Sequence, residues 1–148
     1  MSVYNDQAAF RKAVLGDVTT KSITVAGAAT QAAFTITGGL VAITSIVGRV
    51  TTAITVAGTT KLVANPTAGT SVDLCTATDL GTTDTVVGEI LVIEKGSAIA
   101  LGADTFSLNP LLVETGQIEV VTATGGDGTV KWYVTWVPID EGATLAAA

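Results

Sequence analysis

Three aspartates border a polar loop that could supply oxygen ligands to a metal ion. Asp73, Asp79 and Asp84 lie in or beside residues 76–84, a run rich in threonine. Carboxylate and carbonyl oxygens suit calcium, but the spacing of these residues does not match the loop of an EF-hand. We therefore predict a solvated loop and no metal site.

Four glutamates could in principle supply a pair of catalytic carboxylates, as in glycoside hydrolases. They are Glu89, Glu94, Glu114 and Glu119. Nothing in the sequence brings two of them together, and on strands they alternate with apolar residues as solvent-facing positions do. The glutamates therefore do not predict an enzyme.

Nucleophilic and phosphate-binding chemistry has little support either. The chain has no histidine, so the usual proton carrier at neutral pH is missing, as are histidine-containing zinc sites and triads. Cys75 is the one cysteine, and without a histidine to activate it we predict a small buried residue. The loop 125–128 lacks the lysine and helix of a phosphate loop, and Asp127 is predicted to form a turn there. We expect no catalytic residue, no cofactor and no metal.

Few residues are charged, and most of those are acidic. The 148 residues include 7 Lys or Arg and 13 Asp or Glu, for a net charge of −6. Acidic residues outnumber basic ones, and the basic residues are scattered, so the chain lacks the cluster of Lys and Arg that binds nucleic acid. Only 14% of residues are charged, against about 25% in ordinary soluble domains. We expect such a surface to be covered in part by self-association or by docking on a larger assembly.

Two segments have the length or position of a membrane span or an export signal. Residues 22–48 carry no charge and are long enough to span a bilayer, but glycines and threonines interrupt them, so we predict strands and no membrane association. Asp6, Arg11 and Lys12 occupy the place of the apolar region of a secretory signal, so no such signal is expected.

From residue 19 onward the composition is that of strands and turns, rich in Thr, Val, Ile, Ala and Gly. About nine short strands separated by turn signals predict an all-β fold, a β-sandwich of jelly-roll type. The predicted strands are 22–26, 32–37, 41–56, 60–64, 71–76, 86–93, 106–113, 117–123 and 129–137. Gly38-Gly39 is expected to close a tight hairpin, 65–69 a longer one, and 124–128 a hairpin within 117–137.

The longest predicted strand, 41–56, contains a change of parity. Val41 and Ile43 share one face at a period of two, whereas Ile46, Val50 and Ile54 fall on the other parity. A slip of one residue moves every later side chain to the other face. We therefore predict an irregularity at Ser45 with Ile43 and Ile46 both buried, and we interpret it as the point where the chain crosses between sheets.

Two further strands have informative patterns. Trp132 and Trp136 share one parity with Val130 and Val134, so both indoles are predicted to face the core, and Lys131, Tyr133 and Thr135 the opposite side. In 86–93 both parities are apolar, which indicates cover on both faces. Leu91 and Ile93 are therefore candidate interface residues.

The first residues differ from the rest of the chain. Residues 1–18 are predicted to form an arm, helical or extended, beside a single β-sandwich domain of residues 19–148. A short helix is marginal in water by itself. The arm is expected to lie on the body, a neighbouring subunit or a partner through Val3, Tyr4, Phe10 and Val14.

Three segments lie in the part of the chain whose strands are rich in threonine, alanine and glycine. They are 35–39 leading into 46–52, then 61–67, and finally 134–143. Together they resemble small virion structural proteins of tailed bacteriophages, over most of the chain from about residue 20 onward.

The resemblance implies a protein without catalysis, built in many copies into the particle. A capsid decoration or cement protein fits best: a β-rich homotrimer on the phage head surface, assembled in the host cytoplasm, that binds between subunits of the major capsid protein and stabilises the head. The alternative is a tail, tail-tip or fibre component that recognises a host glycan, for example through the loop 76–84.

Overall fold

The computed structural model describes residues 14–81, 85–93, 101–102 and 110–148, and these residues form an all-β structure with two antiparallel sheets. The inner faces of the sheets enclose one apolar core, the arrangement of a β-sandwich. The strands follow one another in the order β1 (Asp17–Thr24), β2 (Ala29–Thr37), β3 (Val41–Thr52), β4 (Thr59–Pro66), β5 (Val72–Asp73), β6 (Thr78–Asp79), β7 (Ile90–Ile93), β8 (Leu101–Gly102), β9 (Leu111–Val113), β10 (Gly116–Thr122), β11 (Thr129–Pro138) and β12 (Thr144–Ala147).

The two sheets are named after their largest buried side chains. The Trp sheet has the order β1-β11-β3-β7-β8, with β9 also beside β3; the Phe sheet has the order β12-β2-β10-β4-β5, with β6 also beside β4. Trp132 on β11 and Phe34 on β2 are fully buried and face each other's sheet across the core. Trp136 is 6% exposed, which confirms the prediction that both indoles face inward.

Strand β3 contains the predicted irregularity. Its register with β11 shifts between Ile43 and Ser45, which leaves Thr44 as an extra residue, a β-bulge. Ile43 is 2% exposed and Ile46 is 8% exposed, so the prediction that both are buried is confirmed. The predicted crossing between sheets is wrong, because β3 pairs with β11 on both sides of the bulge. A bulge absorbs the extra residue without leaving the ladder.

Two predicted hairpins are wrong for a common reason. Gly38-Gly39 joins β2 of the Phe sheet to β3 of the Trp sheet, and residues 124–128 join β10 of the Phe sheet to β11 of the Trp sheet. Glycines with positive φ, such as Gly38 at 78° and Gly128 at 82°, suit a hairpin turn and a corner between sheets equally well. The turn at 65–69 does lead into a paired strand, since β4 pairs with β5.

One side of the sandwich is closed by its two edge strands, β1 and β12. The Thr19 hydroxyl donates to the Leu145 carbonyl at 3.2 Å, and Lys21 Nζ donates to the Ala148 carbonyl. Strand β1 begins at Asp17, two residues before the predicted domain start, so the body takes in the end of the predicted arm. Within the described ranges, the structure has no helix long and apolar enough to cross a membrane.

Candidate functional site

The outer face of the Trp sheet is the surface that stands out chemically. Side chains on a strand alternate between faces, so residues one position away from the buried indoles point to solvent. The register places these residues in rows across β1, β11, β3 and β7. The outer Trp face comprises Val18, Thr20, Ser22, Lys131, Tyr133, Thr135, Val137, Ser45, Val47, Arg49, Ile90, Val92 and Leu112.

Much of the outer Trp face is apolar. Tyr133 lies opposite Val47, and Val47 lies opposite Val92, so one row is apolar across three strands. Three aliphatic side chains elsewhere on the outer Trp face are exposed: Val18 by 61%, Leu112 by 59% and Ile90 by 45%. Exposed apolar side chains that share one face of a sheet are typical of an interaction surface.

The neighbouring row of the outer Trp face carries two positive charges. Lys131 lies directly opposite Arg49, and Arg49 lies opposite Ile90. Lys131 Nζ is 5.4 Å from the centroid of the Tyr133 ring, a cation–π distance. Neither cation makes an ion pair in the part of the chain that the structure describes.

The outer face of the Phe sheet has a different character, because its charged groups are paired. Lys61 Nζ is 2.7 Å from an Asp73 carboxylate oxygen. Asn65 donates to Glu119 at 3.0 Å, and Ser71 donates to Asn65 at 2.9 Å. An ion pair and hydrogen bonds within the chain thus bind these five side chains.

The predicted interface residues have different positions. Val14 is 62% exposed just before β1, whereas Leu91 is 5% exposed in the core and Ile93 packs against that core. Val3, Tyr4 and Phe10 lie outside the described residues. Leu91 and Ile93 thus offer little surface in this chain.

In β7 the sequence predicts Leu91 and Ile93 as interface residues, whereas the side chains of the other parity point outward. Ile90 and Val92 are on the outer Trp face, in register with Arg49 and Val47. The apolar residues of both parities signalled a strand covered on both faces. Which parity points outward depends on the pairing of β7 with β3, and a single sequence does not specify this pairing.

The aspartates of the polar loop hold backbone and side-chain partners in place. Asp73 pairs with Lys61, and the Asp79 carboxylate accepts from the amides of Gly58 and Gly81, each at 3.0 Å. Asp84 lies outside the described residues. Across the described ranges, no group of three or more acidic or cysteine side chains is placed to hold a metal ion.

The glutamates are spread over the molecule. Glu89 accepts from the Val86 amide at 3.2 Å, Glu119 is bound by Asn65, and Glu94 is not among the described residues. Glu114 lines an open depression of about 360 Å³ together with Asp140, Thr115 and four other residues. The other two described residues of the four, Glu89 and Glu119, do not line that depression.

Cys75 is buried, as the sequence predicts. Its sulfur accepts a hydrogen bond from the Leu62 amide at 3.2 Å. Burial raises the pKa of the Cys75 thiol, so the group stays protonated at neutral pH and is a poor nucleophile. Cys75 serves as a packing residue between β4 and the segment after β5.

Comparison with protein-family models, with curated proteins and with solved structures finds no match to this chain.

Proposed function

We propose that this chain is a non-enzymatic virion structural protein of a tailed bacteriophage, a capsid decoration or cement protein that binds between capsid subunits and stabilises the head. One observation carries the proposal: the outer Trp face exposes Val18, Ile90 and Leu112, while the charged groups on the opposite outer face are paired. A protein with one such face is suited to lie on a larger assembly. The resemblance of the body to phage virion proteins indicates which assembly.

The finer fold class that we propose is the jelly roll, and the strand order supports it. Strands β1-β11-β3-β7 lie side by side in one sheet, and β2-β10-β4-β5 lie side by side in the other. These four strands of each six-stranded sheet alternate along the chain in a way that fits two Greek keys wound together, the arrangement of viral capsid domains and lectins. Because a fold alone does not assign a function, the exposed face carries more weight in the proposal.

The proposed partners are the major capsid protein and further copies of this chain, as a homotrimer on the outside of the head. Val14 and Leu15, 62% and 59% exposed, are apolar residues of the predicted arm just before β1, which supports contacts between neighbours there. Repetition over a shell makes the total attachment strong even where each contact is weak, since a bound neighbour raises the effective concentration.

The proposal is tested by attachment to capsids lacking this chain, prepared from the phage that encodes it. The wild-type protein should bind them in many copies per particle. Leu112→Gln should weaken binding roughly tenfold, because it removes most of a contact of about 1.5 kcal/mol from the outer Trp face. The matched control is Val72→Gln, which changes a valine with the same 59% exposure on the edge of the Phe sheet and should bind like wild type. Wild-type protein that does not bind capsids would overturn the proposal.

The alternative of a receptor-binding tail component is less well supported. Glycan sites usually present aromatic rings, yet Trp132 and Trp136 are buried and, among the described residues, no aromatic side chain lines the depression beside Glu114. Glycan-array binding by the wild-type protein, lost on mutation of residues in 76–81, would favour this alternative.

A further inference from the structure

A pair of like charges occupies the middle of the outer Trp face. Arg49 on β3 and Lys131 on β11 are direct cross-strand partners, so their Cβ atoms are about 5 Å apart. Arg49 is exposed and Lys131 is half-buried. Like charges placed directly opposite one another destabilise a sheet. The repulsion between the two cations therefore does not stabilise the free protein.

The other described cations are used differently. Lys61 is paired with Asp73, and Lys21 donates to the Ala148 carbonyl. Arg49 and Lys131 keep their charges unpaired in the described part of a chain whose net charge is −6. Such an arrangement is suited to a negative group brought by a partner, since two cations at this spacing can share one carboxylate.

The surroundings of the pair indicate what kind of partner brings that group. Ile90 lies beside Arg49 and is 45% exposed, and the row of Tyr133, Val47 and Val92 borders the pair on one side. Tyr133 also holds Lys131 in place through its ring. Nucleic acid binding needs more cations and tolerates few apolar neighbours. A protein surface with an acidic residue inside an apolar patch complements both features.

We infer that Arg49 and Lys131 form a carboxylate-binding site for an Asp or Glu of a capsid subunit, with Tyr133, Val47 and Ile90 packing around it. The inference rests on the proposed function and adds the chemistry of the partner surface. Binding removes the repulsion between the cations, because the incoming carboxylate neutralises them. Part of the attachment should therefore depend on salt concentration.

Three variants that each remove one positive charge test the inference. Arg49→Gln and Lys131→Gln should bind capsids lacking this chain about tenfold more weakly than wild type at low salt. Both should keep or raise the Tm, because each relieves the repulsion in the free protein. Lys61→Gln is the matched control on the other sheet and should bind like wild type. When binding is repeated at about 0.5 M salt, roughly three times the physiological ionic strength, the difference in capsid affinity between the variants and wild type should shrink.

A chemical cross-link gives a second measurement. A carbodiimide converts a carboxylate into an O-acylisourea. The Lys131 amine then attacks the carbonyl carbon of this ester to form an amide, and the reagent leaves as a urea. Mass spectrometry of protein bound to capsids should identify Lys131 joined to an Asp or Glu of the capsid subunit.

The outcomes separate this inference from the proposed function. If wild type binds capsids and both charge variants bind equally well, the carboxylate site is wrong and the proposed function stands. If wild type does not bind, both are wrong. Three other results would overturn the inference. The first is a fall in Tm in both charge variants, and the second is a Lys131 cross-link only to another copy of this chain. The third is wild-type binding to duplex DNA or anionic vesicles that Arg49→Gln abolishes.

Discussion

At the scale of single residues, Asp127 does more than shape its own turn. Its carboxylate accepts hydrogen bonds from the Thr55 amide at 2.6 Å, the Val56 amide at 2.9 Å and the Thr55 hydroxyl at 2.9 Å. The side chain thus ties the loop between β10 and β11 to the segment between β3 and β4. These hydrogen bonds favour the ionised form and lower the pKa of Asp127, with the backbone amides as the main cause.

We predict that Asp127→Asn lowers the Tm at pH 7 and that this difference disappears at low pH. Because the pKa of Asp127 is lower in the folded chain than in the unfolded chain, its stabilisation is complete above the unfolded value of about 3.9 and is lost as the pH falls through the folded value. Thermal unfolding of wild type and variant from pH 7 to pH 2 measures this. Glu141→Gln, the same charge change at an exposed residue, should leave the Tm unchanged at pH 7. A difference between wild type and Asp127→Asn that stays constant with pH would contradict the prediction.

Gly48 shows a second constraint at this scale, because it sits in the middle of the longest strand. A Cβ there would lie 2.9 Å from both Trp132 Cζ3 and Val130 Cγ1. Trp132 is fully buried, so its ring has little room to move. We predict that Gly48→Ala lowers the free energy of unfolding by about 1–3 kcal/mol, measured by chemical denaturation. Combining it with Trp132→Leu should cost less than the sum of the two single changes, whereas strict additivity would show that the ring is not the cause.

At the scale of the elements, the bulge in β3 leads to a test by deletion. Thr44 and Ser45 are both exposed between the buried Ile43 and Ile46, so removing one of them restores regular alternation. We predict that the chain lacking Thr44 still folds, at the cost of the hydrogen bond from the Thr44 hydroxyl to the Thr135 carbonyl. Circular dichroism and denaturation should show a cooperative transition.

Deletion of Val47 is the control, because it removes a residue from the regular part of the same strand. The residues on one side of the gap then change faces, which places Ile43 and Ile46 on the outer face or Arg49 in the core. This variant should not fold cooperatively. Equal stability of the two deletion variants would show that the bulge does not set the register.

The elements also show how far the sequence predicts the structure. Period-two alternation identified the buried face of β11 and the bulge in β3, since both depend only on neighbours along the chain. Glycines identify the turns at 38–39 and 124–128 but not which strands the turns join into a sheet, because pairing is decided by contacts between distant segments. The same gap explains why Arg49 and Lys131 were not recognised as neighbours: they are 82 positions apart (131 − 49) and meet only in the register of β3 with β11.

At the scale of the whole molecule, the two outer faces differ in their charged and apolar side chains. The Phe sheet presents paired charges such as Lys61 with Asp73, which favours solvent contact. The Trp sheet presents the exposed side chains of Val18, Ile90 and Leu112 together with two unpaired cations, of which Arg49 lies beside Ile90. Because so few residues are charged, we expect the chain to resist precipitation best when the apolar face is covered in an assembly.

The start of the chain gives the prediction that belongs to this scale. Val14 and Leu15 are 62% and 59% exposed immediately before the edge strand β1. We predict that removing residues 1–16 shifts the sedimentation of the protein from a trimer toward the monomer, and that Val14→Gln shifts it part of the way. Val72→Gln, which changes a valine of 59% exposure on β5, should sediment like wild type.

The Tm of the shortened chain should change little in dilute samples, because strand β1 begins at Asp17 and keeps its pairing with β11. A wild-type protein that is monomeric at every concentration, or a shortened chain that remains trimeric, would show that these residues do not hold neighbouring copies together.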